Sequence, residues 1–318
     1  MARYAARRCL EVIPTLFFVS IIVFGLIRLA PGDPAAMKMG REAARPENKP
    51  KLEALRHEMG LDRPIPVKYL YWIRDLAHGN FDDSLRNKRP TLDLFTQKLP
   101  ATLELVLVAT LFALLVSLPV GVFAALKRGR FVDRAAVGFV SAGLAVPSFW
   151  FGLALILLFS VKLRWLPASG YVSFTKDPVG NIKHVLMPGL TLGVYLSATL
   201  TRFVRADMLE TLAADYVRTA RAKGLSERVV IGGHALRNAL IPVLTVAGLE
   251  IGALLGGTVI IEQVFSWSGV GWLTVQAIFD RDYPLVQTSV LFIAVGLTIA
   301  NLLVDLGYGL LNPKLRVQ

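Results

Sequence analysis

Long apolar runs separated by polar connections dominate this chain. Six runs approach the roughly 20 residues that cross a bilayer as a helix: Leu10–Leu29, Ala101–Leu126, Ala135–Val161, Pro188–Val204, Ala239–Ile261 and Pro284–Leu311. The fourth is diluted by Thr191, Ser197, Thr199 and Thr201, and the last two are long enough to tilt or to extend past the bilayer. The pattern predicts an all-α membrane protein with six transmembrane helices. The first run follows the basic stretch Arg3 to Arg8, as in a signal peptide. It is longer than a signal core, however, and leads into Pro-Gly-Asp-Pro rather than a small-residue cleavage site, so it reads as a retained span.

The connections set the organisation. Residues 1–30 hold the N-terminus and first span, 31–100 an insertion, 101–311 a five-helix core with a polar segment at 207–238, and 312–318 a tail. Inside the insertion, Lys51–Met59 and Val67–Ala77 have helical patterns that stop at Gly60 and near Gly79, where glycine suits a C-terminal cap. The Phe265–Asp282 connection carries Trp267, Trp272, Leu273, Ile278 and Phe279, which suits a helix lying at the lipid interface. Six spans put both termini on one side. Sixteen Lys and Arg fall in the short connections and ends of that side, against five on the other, which assigns both termini and the 207–238 segment to the cytoplasm. The 31–100 insertion then lies outside.

Composition narrows the function. The 318 residues are 54% hydrophobic, and the net charge of +12 gathers at the ends of apolar runs. That placement points to membrane topology and anionic lipid rather than to nucleic acid. Cys9 is the only cysteine, which excludes an internal disulfide and a cysteine metal site. There is no phosphate-binding Gly-x-x-x-x-Gly-Lys-Ser/Thr loop and no Gly-x-Ser-x-Gly. His57-Glu58 is followed by Met-Gly-Leu rather than by a second zinc-binding histidine, and His78, His184 and His234 are scattered in other connections. We expect no catalytic residue, metal or cofactor in this chain.

The polar segment carries the most information. Leu209, Leu212, Ala213, Tyr216 and Ala220 recur at helical spacing and form one apolar face. Arg218, Arg221 and Lys223 gather in the last turns, where cations suit the helix dipole. Gly224 permits a left-handed stop, and Ser226 is placed to cap a second short helix with Glu227 in its first turn. Two helices meeting at a corner suit either a docking elbow for a soluble partner or a basic face against lipid headgroups.

Within the spans, Gly248, Gly252 and Gly256 recur every four residues, a spacing for close helix contact with either a partner subunit or a neighbouring helix of this chain. Glu250 lies off that stripe near the middle of the fifth span, so it faces protein or a wet cavity, as a structural group or as one that meets substrate. Pro147, followed by Ser148, interrupts the third span and kinks it, as along a transport pathway or within an ordinary bundle. Asn301 and Asp305 fall one turn apart, spaced to bond each other or another helix.

Arg218-Thr-Ala-x-x-x-Gly224 resembles the cytoplasmic Glu-Ala-Ala-x-x-x-Gly loop of ABC importer permeases, with Arg218 where that loop usually has Glu. Asp215-Tyr-Val-Arg-Thr-Ala-Arg-Ala-Lys-Gly-Leu-Ser226 is similar to the loop of the dipeptide and oligopeptide branch. So are the opening Arg8 to Pro34, Met59-Gly-Leu-Asp-Arg-Pro, Phe265-Ser-Trp-x-Gly-x-Gly, Arg281-Asp-Tyr-Pro and Asn301-Leu-Leu-Val-Asp. The resemblance implies a type I importer permease in a bacterial inner membrane. Residues Asp215, Tyr216, Val217, Arg218, Thr219, Ala220, Arg221, Ala222, Lys223 and Gly224 would dock on a cytoplasmic ATPase. ATP and Mg would be bound by two such partner subunits, a second similar permease would complete the pathway, and an external binding protein would deliver peptide. Nickel, heme and glycoside importers share this branch. A self-contained channel or secondary transporter would need charged relays or paired broken helices, for which Glu250 alone is slight support.

Overall fold

The computed structural model describes residues 2–29 and 33–311. The 312–318 tail and the Ala-Pro-Gly at 30–32 lie outside the described residues. The described chain is helical, with a single isolated β-bridge between Asp83 and Pro90. Helix α1 (Ala2–Leu29) is followed by three short helices, α2 (Pro34–Met39), α3 (Lys49–Glu58) and α4 (Ile65–Ala77). Then come α5 (Thr91–Leu126), α6 (Phe131–Ala145) and α7 (Ser148–Leu155), the last prolonged by a wide π turn to Lys162. Helices α8 (Pro178–Ala213), α9 (Asp215–Ala222) and α10 (Glu227–Val229) follow. A second π segment, Val230–Leu236, leads into α11 (Arg237–Gly257), and α12 (Val259–Val264), α13 (Val270–Phe279) and α14 (Tyr283–Leu311) close the chain.

Helices α1, α5 and α14 and the continuous Glu227–Gly257 stretch are long and apolar enough to cross a membrane, and α6 with α7 adds a bent fifth candidate. The expected third span is therefore no gently kinked helix. Its arms meet at 100°. Pro147 has no N–H to continue α6 and pushes Val146 into extended backbone (φ −84°, ψ 124°), so the helix stops and restarts at Ser148. The diluted fourth run lies within α8, whose 36 residues span about 54 Å. Helix α8 is polar because protein, not lipid, surrounds much of it: Asn181, Thr191, Ser197, Thr199 and Thr201 are all buried. Thr191 and Ser197 return their hydroxyl protons to the carbonyls of Met187 and Val194.

Close packing follows the glycines. At Gly189 and Gly193 a Cβ would sit 2.6 Å from Val108 and Phe112, and at Gly121 2.6 Å from Val204, so α5 and α8 pack backbone to side chain along their length. The Gly248 stripe works the same way within this chain. Gly248 faces Val304, and Gly252 faces Asn301 and Leu297, both on α14. Gly256 has open space around it and takes no part in that contact. Helix α1 also packs on α14, and its Arg8 pairs with Asp305 at 3.2 Å, so Asp305 bonds another helix.

Both glycine stops in the insertion adopt positive φ, 61° at Gly60 and 78° at Gly79. The insertion is fastened to the core. Tyr69 and Trp72 of α4 stack on Phe24 of α1, and Ser20 bonds the Tyr69 hydroxyl at 2.7 Å. Asp282, buried at the head of α14, accepts from the Ser84 hydroxyl and the Leu85 N–H, which explains the acid of the Arg281-Asp-Tyr-Pro motif.

A second buried acid organises the neighbouring corner. Glu262 is fully enclosed at the end of α12. Its Oε1 accepts from Thr102 Oγ1 of α5 (2.7 Å) and Thr258 Oγ1 (3.1 Å), and its Oε2 from the Trp272 N–H in the first turn of α13 (2.7 Å). A Cβ at Gly269 would strike Thr102 and Glu262, and one at Gly271 would lie 2.8 Å from the Val259 backbone. The glycines of Phe265-Ser-Trp-x-Gly-x-Gly are thus needed for close approach. Trp267 corrects the interfacial expectation. It is completely buried, donates from Nε1 to the Ala101 carbonyl (2.8 Å) and meets Tyr171 edge-on at 4.8 Å. Of the expected interfacial apolar set, Ile278 and Phe279 stay exposed while Leu273 is buried.

Glu262→Ala strands two hydroxyls and a backbone N–H in a closed site, so it should destabilise the protein by about 2–4 kcal/mol. Thermal unfolding of the purified protein in detergent will show this as a lowered midpoint. Glu262→Gln keeps one acceptor oxygen and should lose less.

Candidate functional site

Two features recruit the residues singled out in the sequence: an elbow around Gly224 and a cavity at the Pro147 bend.

The elbow is built by two breaks, of which the sequence pattern shows one. Gly224 adopts φ 79° with open space where a Cβ would sit, so the glycine serves backbone conformation and not close packing. Its N–H bonds the Arg221 carbonyl at 2.9 Å, and Leu225 N–H returns to Ala220, closing α9 in a left-handed cap. The other break is at Ala214, which is extended (φ −69°, ψ 147°) and separates α8 from α9. This resets the helical phase and divides the expected apolar face. Leu209 and Leu212 pack with α8 against Val204, Met208 and Ala239, whereas on α9 Val217 and Ala220 are buried with Val230 beneath them. Tyr216, expected on the packed face, is 44% exposed, and its hydroxyl accepts from Asn238 Nδ2 at 3.1 Å.

Asp215, Arg218, Thr219, Arg221, Ala222, Lys223 and Gly224 are all exposed. Arg221 forms two hydrogen bonds with Glu227 across the corner (2.8 and 3.3 Å), and that carboxylate pushes the guanidinium pKa further up. Ser226 sits at the N-cap of α10 but gives no side-chain cap bond. Its carbonyl accepts from Val229 and Val230 instead, and the Arg221–Glu227 pair holds the corner that Ser226 was expected to secure. Leu225 and Val229 are exposed beside Arg218 and Lys223, so the elbow presents an apolar and basic surface.

An ion pair not apparent in the sequence stands nearby. Arg205 of α8 reaches Asp133 in the first turn of α6 through two bonds, 2.6 and 3.0 Å, and the Gly129 N–H completes the carboxylate's shell at 2.8 Å. Charges far apart in sequence carry no spacing signal. The positive φ of Gly129 (76°) is the local trace that the chain turns there.

The cavity, about 420 Å³, lies between the Leu144–Ser148 bend, Leu192 and Tyr195 of α8, and Glu250, Ala253 and Gly257 of α11. Glu250 shares its wall with the adjacent Pro147 and Ser148, from which it is far removed in sequence. Ala253, Gly257, Pro147 and Tyr195 are exposed along it, so the cavity is open on one side.

Comparisons place this architecture. The family described as binding-protein-dependent transport system inner membrane component matches residues 117–317, and the N-terminal family of such components matches residues 1–106. The di/tripeptide transport system permease protein DppB of Pseudomonas aeruginosa (strain UCBPP-PA14) is 44% identical over 338 residues, covering 100% of both chains. The dipeptide transport system permease protein DppB of Escherichia coli (strain K12) is 40% identical over 99% of both chains. The glutathione transport system permease protein GsiC of the same strain is 39% identical over 100% of both. Among solved structures, a chain of the MetNI methionine ABC transporter in an inward-facing conformation shares the fold, with a TM-score of 0.57 at 18% identity over 70% of this chain and 97% of that one. This chain therefore belongs to the family of binding-protein-dependent transport system inner membrane components, as a multi-pass ABC importer permease of the inner membrane.

Proposed function

We propose that this chain forms half of the translocation pathway of an ATP-driven importer of di- and oligopeptides. A second, similar permease supplies the other half. Two cytoplasmic ATPases bind ATP and Mg and dock on the Gly224 elbow, and an external binding protein delivers peptide. The chain itself has a mechanical role and no catalytic site. Both termini and the elbow lie in the cytoplasm, as the distribution of Lys and Arg indicates.

One observation carries this reading. The two helices that flank the elbow, α8 before it and α11 after it, are the two that wall the cavity opposite the Pro147 bend. A load on α9 would therefore reach the cavity through α8, across the single extended residue Ala214, and through α11, beyond the π segment Val230–Leu236. The exposed Leu225, Val229, Arg218 and Lys223 supply an apolar centre with a charged rim for a soluble subunit. Peptide as cargo is supported by the relatives, whose names specify dipeptide, di/tripeptide and glutathione.

The test is uptake of labelled dipeptide by the complete transporter in vesicles. ATP-driven uptake is expected, and its absence with fully assembled subunits overturns the reading. Gly224→Val forces a β-branched residue to positive φ, at a cost of about 1–2 kcal/mol, and should abolish uptake while membrane insertion persists. Gly224→Asn, which tolerates that conformation, should retain it. Accessibility checks the cavity. In a Cys9→Ser background, Glu250→Cys should react with a water-soluble maleimide and change its labelling rate on ATP addition. Leu249→Cys, on an exposed apolar side of α11, should stay unlabelled.

A further inference from the structure

We propose that Glu250 is the seat for the cationic amino group of the transported peptide, within the cavity at the Pro147 bend. The inference rests on the peptide-importer reading above and specifies what the permease itself recognises.

The chemistry of the wall leads there. Among the described residues, Glu250 is the only Asp, Glu, Lys, Arg or His lining the cavity. Among the described residues it has no hydrogen-bond or ion-pair partner, unlike Glu262 and Asp282, which are saturated by their neighbours. A carboxylate at mid-membrane depth costs roughly 2.5–3.5 kcal/mol on insertion scales unless something balances it. Among the described residues no cation lines the cavity, so its contents are the natural source of that balance.

The surroundings select a cation with apolar flanks. Helix α6 ends at the same wall, and after the 100° break its last carbonyls, at Leu144 and Ala145, have no following helical turn to bond. That negative helix end meets the positive end of α7, which begins at Ser148 in the same wall, so the two oppose each other and Glu250 supplies the net charge. The Tyr195 ring offers a face for an ammonium, and the Ser148 hydroxyl an acceptor. The other contacts, Leu192, Ala253 and Gly257, are apolar or small. An α-ammonium fits this set, since it is a compact charge attached to a carbon skeleton. The volume of about 420 Å³ lies in the range of small-ligand sites and suits a short peptide.

The experiment uses the complete reconstituted transporter and two probes: dialanine, and lactoyl-alanine, in which a hydroxyl replaces the ammonium. Each is supplied at a concentration that saturates the binding protein, so that affinity for that protein drops out of the comparison. Wild type should take up dialanine at least about tenfold faster, the discrimination that one charge-assisted hydrogen bond supplies. Glu250→Gln should bring the two rates within about twofold, with the thermal unfolding midpoint measured alongside to show that the variant is folded. Glu250→Asp, which keeps the charge, should retain the preference. If Glu250→Gln keeps the preference, or slows both probes equally, the assignment of Glu250 is overturned while the peptide-importer reading stands. If wild type takes up neither probe, that reading falls and this inference with it.

Discussion

The enclosed carboxylate of Glu262 is the constraint on which the geometry of this bundle depends. A buried acid is tolerated only when its oxygens are satisfied, and the groups that satisfy Glu262 come from three parts of the chain. Thr102 belongs to α5, Thr258 to the junction of α11 and α12, and the Trp272 N–H to the first turn of α13. Thr102 also accepts from the Val270 N–H, at 2.8 Å, so α13 is linked to the acid twice, through this hydroxyl and directly through Trp272. The end of α11 is therefore fixed relative to α5, and α5 is the helix on which α8 packs most extensively. The cavity lies between α8 and α11, so its dimensions depend on this knot. Gly269 and Gly271 are the steric condition for it, since neither site has room for a side chain.

Polarity inside the bundle follows one rule: helices enclosed by protein carry hydroxyls, and those facing outward carry leucines. Helix α8 is the clearest case. Its buried threonines and serines would be costly against lipid but bond to their own backbone or lie among neighbouring helices. Outward positions such as Leu103, Leu107, Leu111 and Leu115 of α5 are 48–75% exposed at helical spacing and form a lipid-facing stripe. Hydropathy alone ranks α8 below its companions because it is the most enclosed.

Much of this was legible in the sequence. Long apolar runs announce spans because the bilayer demands length, and glycines announce stops because only they adopt positive φ without penalty: Gly60, Gly79 and Gly224 all behave so. What was not legible depends on partners distant in the chain. Glu262 reads as an ordinary polar residue after a span until Thr102, 160 positions earlier, is brought beside it. Trp267 reads as an interfacial aromatic until the Ala101 carbonyl is found at its indole nitrogen. The break at Ala214 has neither glycine nor proline to mark it, so the periodicity of Leu209 to Ala220 reads as one face although it spans two helices. Glu250, Pro147 and Ser148 were each suspect for a separate local reason, and only the fold unites them.

The elbow is attached unequally to its two helices, and this asymmetry bears on how force would pass in the proposed transporter. On one side α9 joins α8 through the single extended residue Ala214, and α8 runs unbroken for about 27 Å back to Tyr195. On the other side the wide π turn of Val230–Leu236 intervenes before α11 begins. It contains Gly232 and Gly233, around which no atom lies within 4 Å of a Cβ position. Such π turns are rare and are found mostly as single-turn bulges in helices, often at functional sites. In the proposed transporter, displacement of α9 would pass more directly to α8 than to α11. The Arg205–Asp133 pair then couples α8 to the start of α6, whose far end is the Pro147 bend. Two walls of the cavity, the bend and Tyr195, are thereby linked and would move together in that transporter. The third, bearing Glu250, is held by α14 through Gly248 and Gly252 and by the Glu262 knot beyond Thr258. In the proposed transporter a stroke at the elbow would thus change the width of the cavity rather than its position, which is the motion a pathway needs to release what it holds.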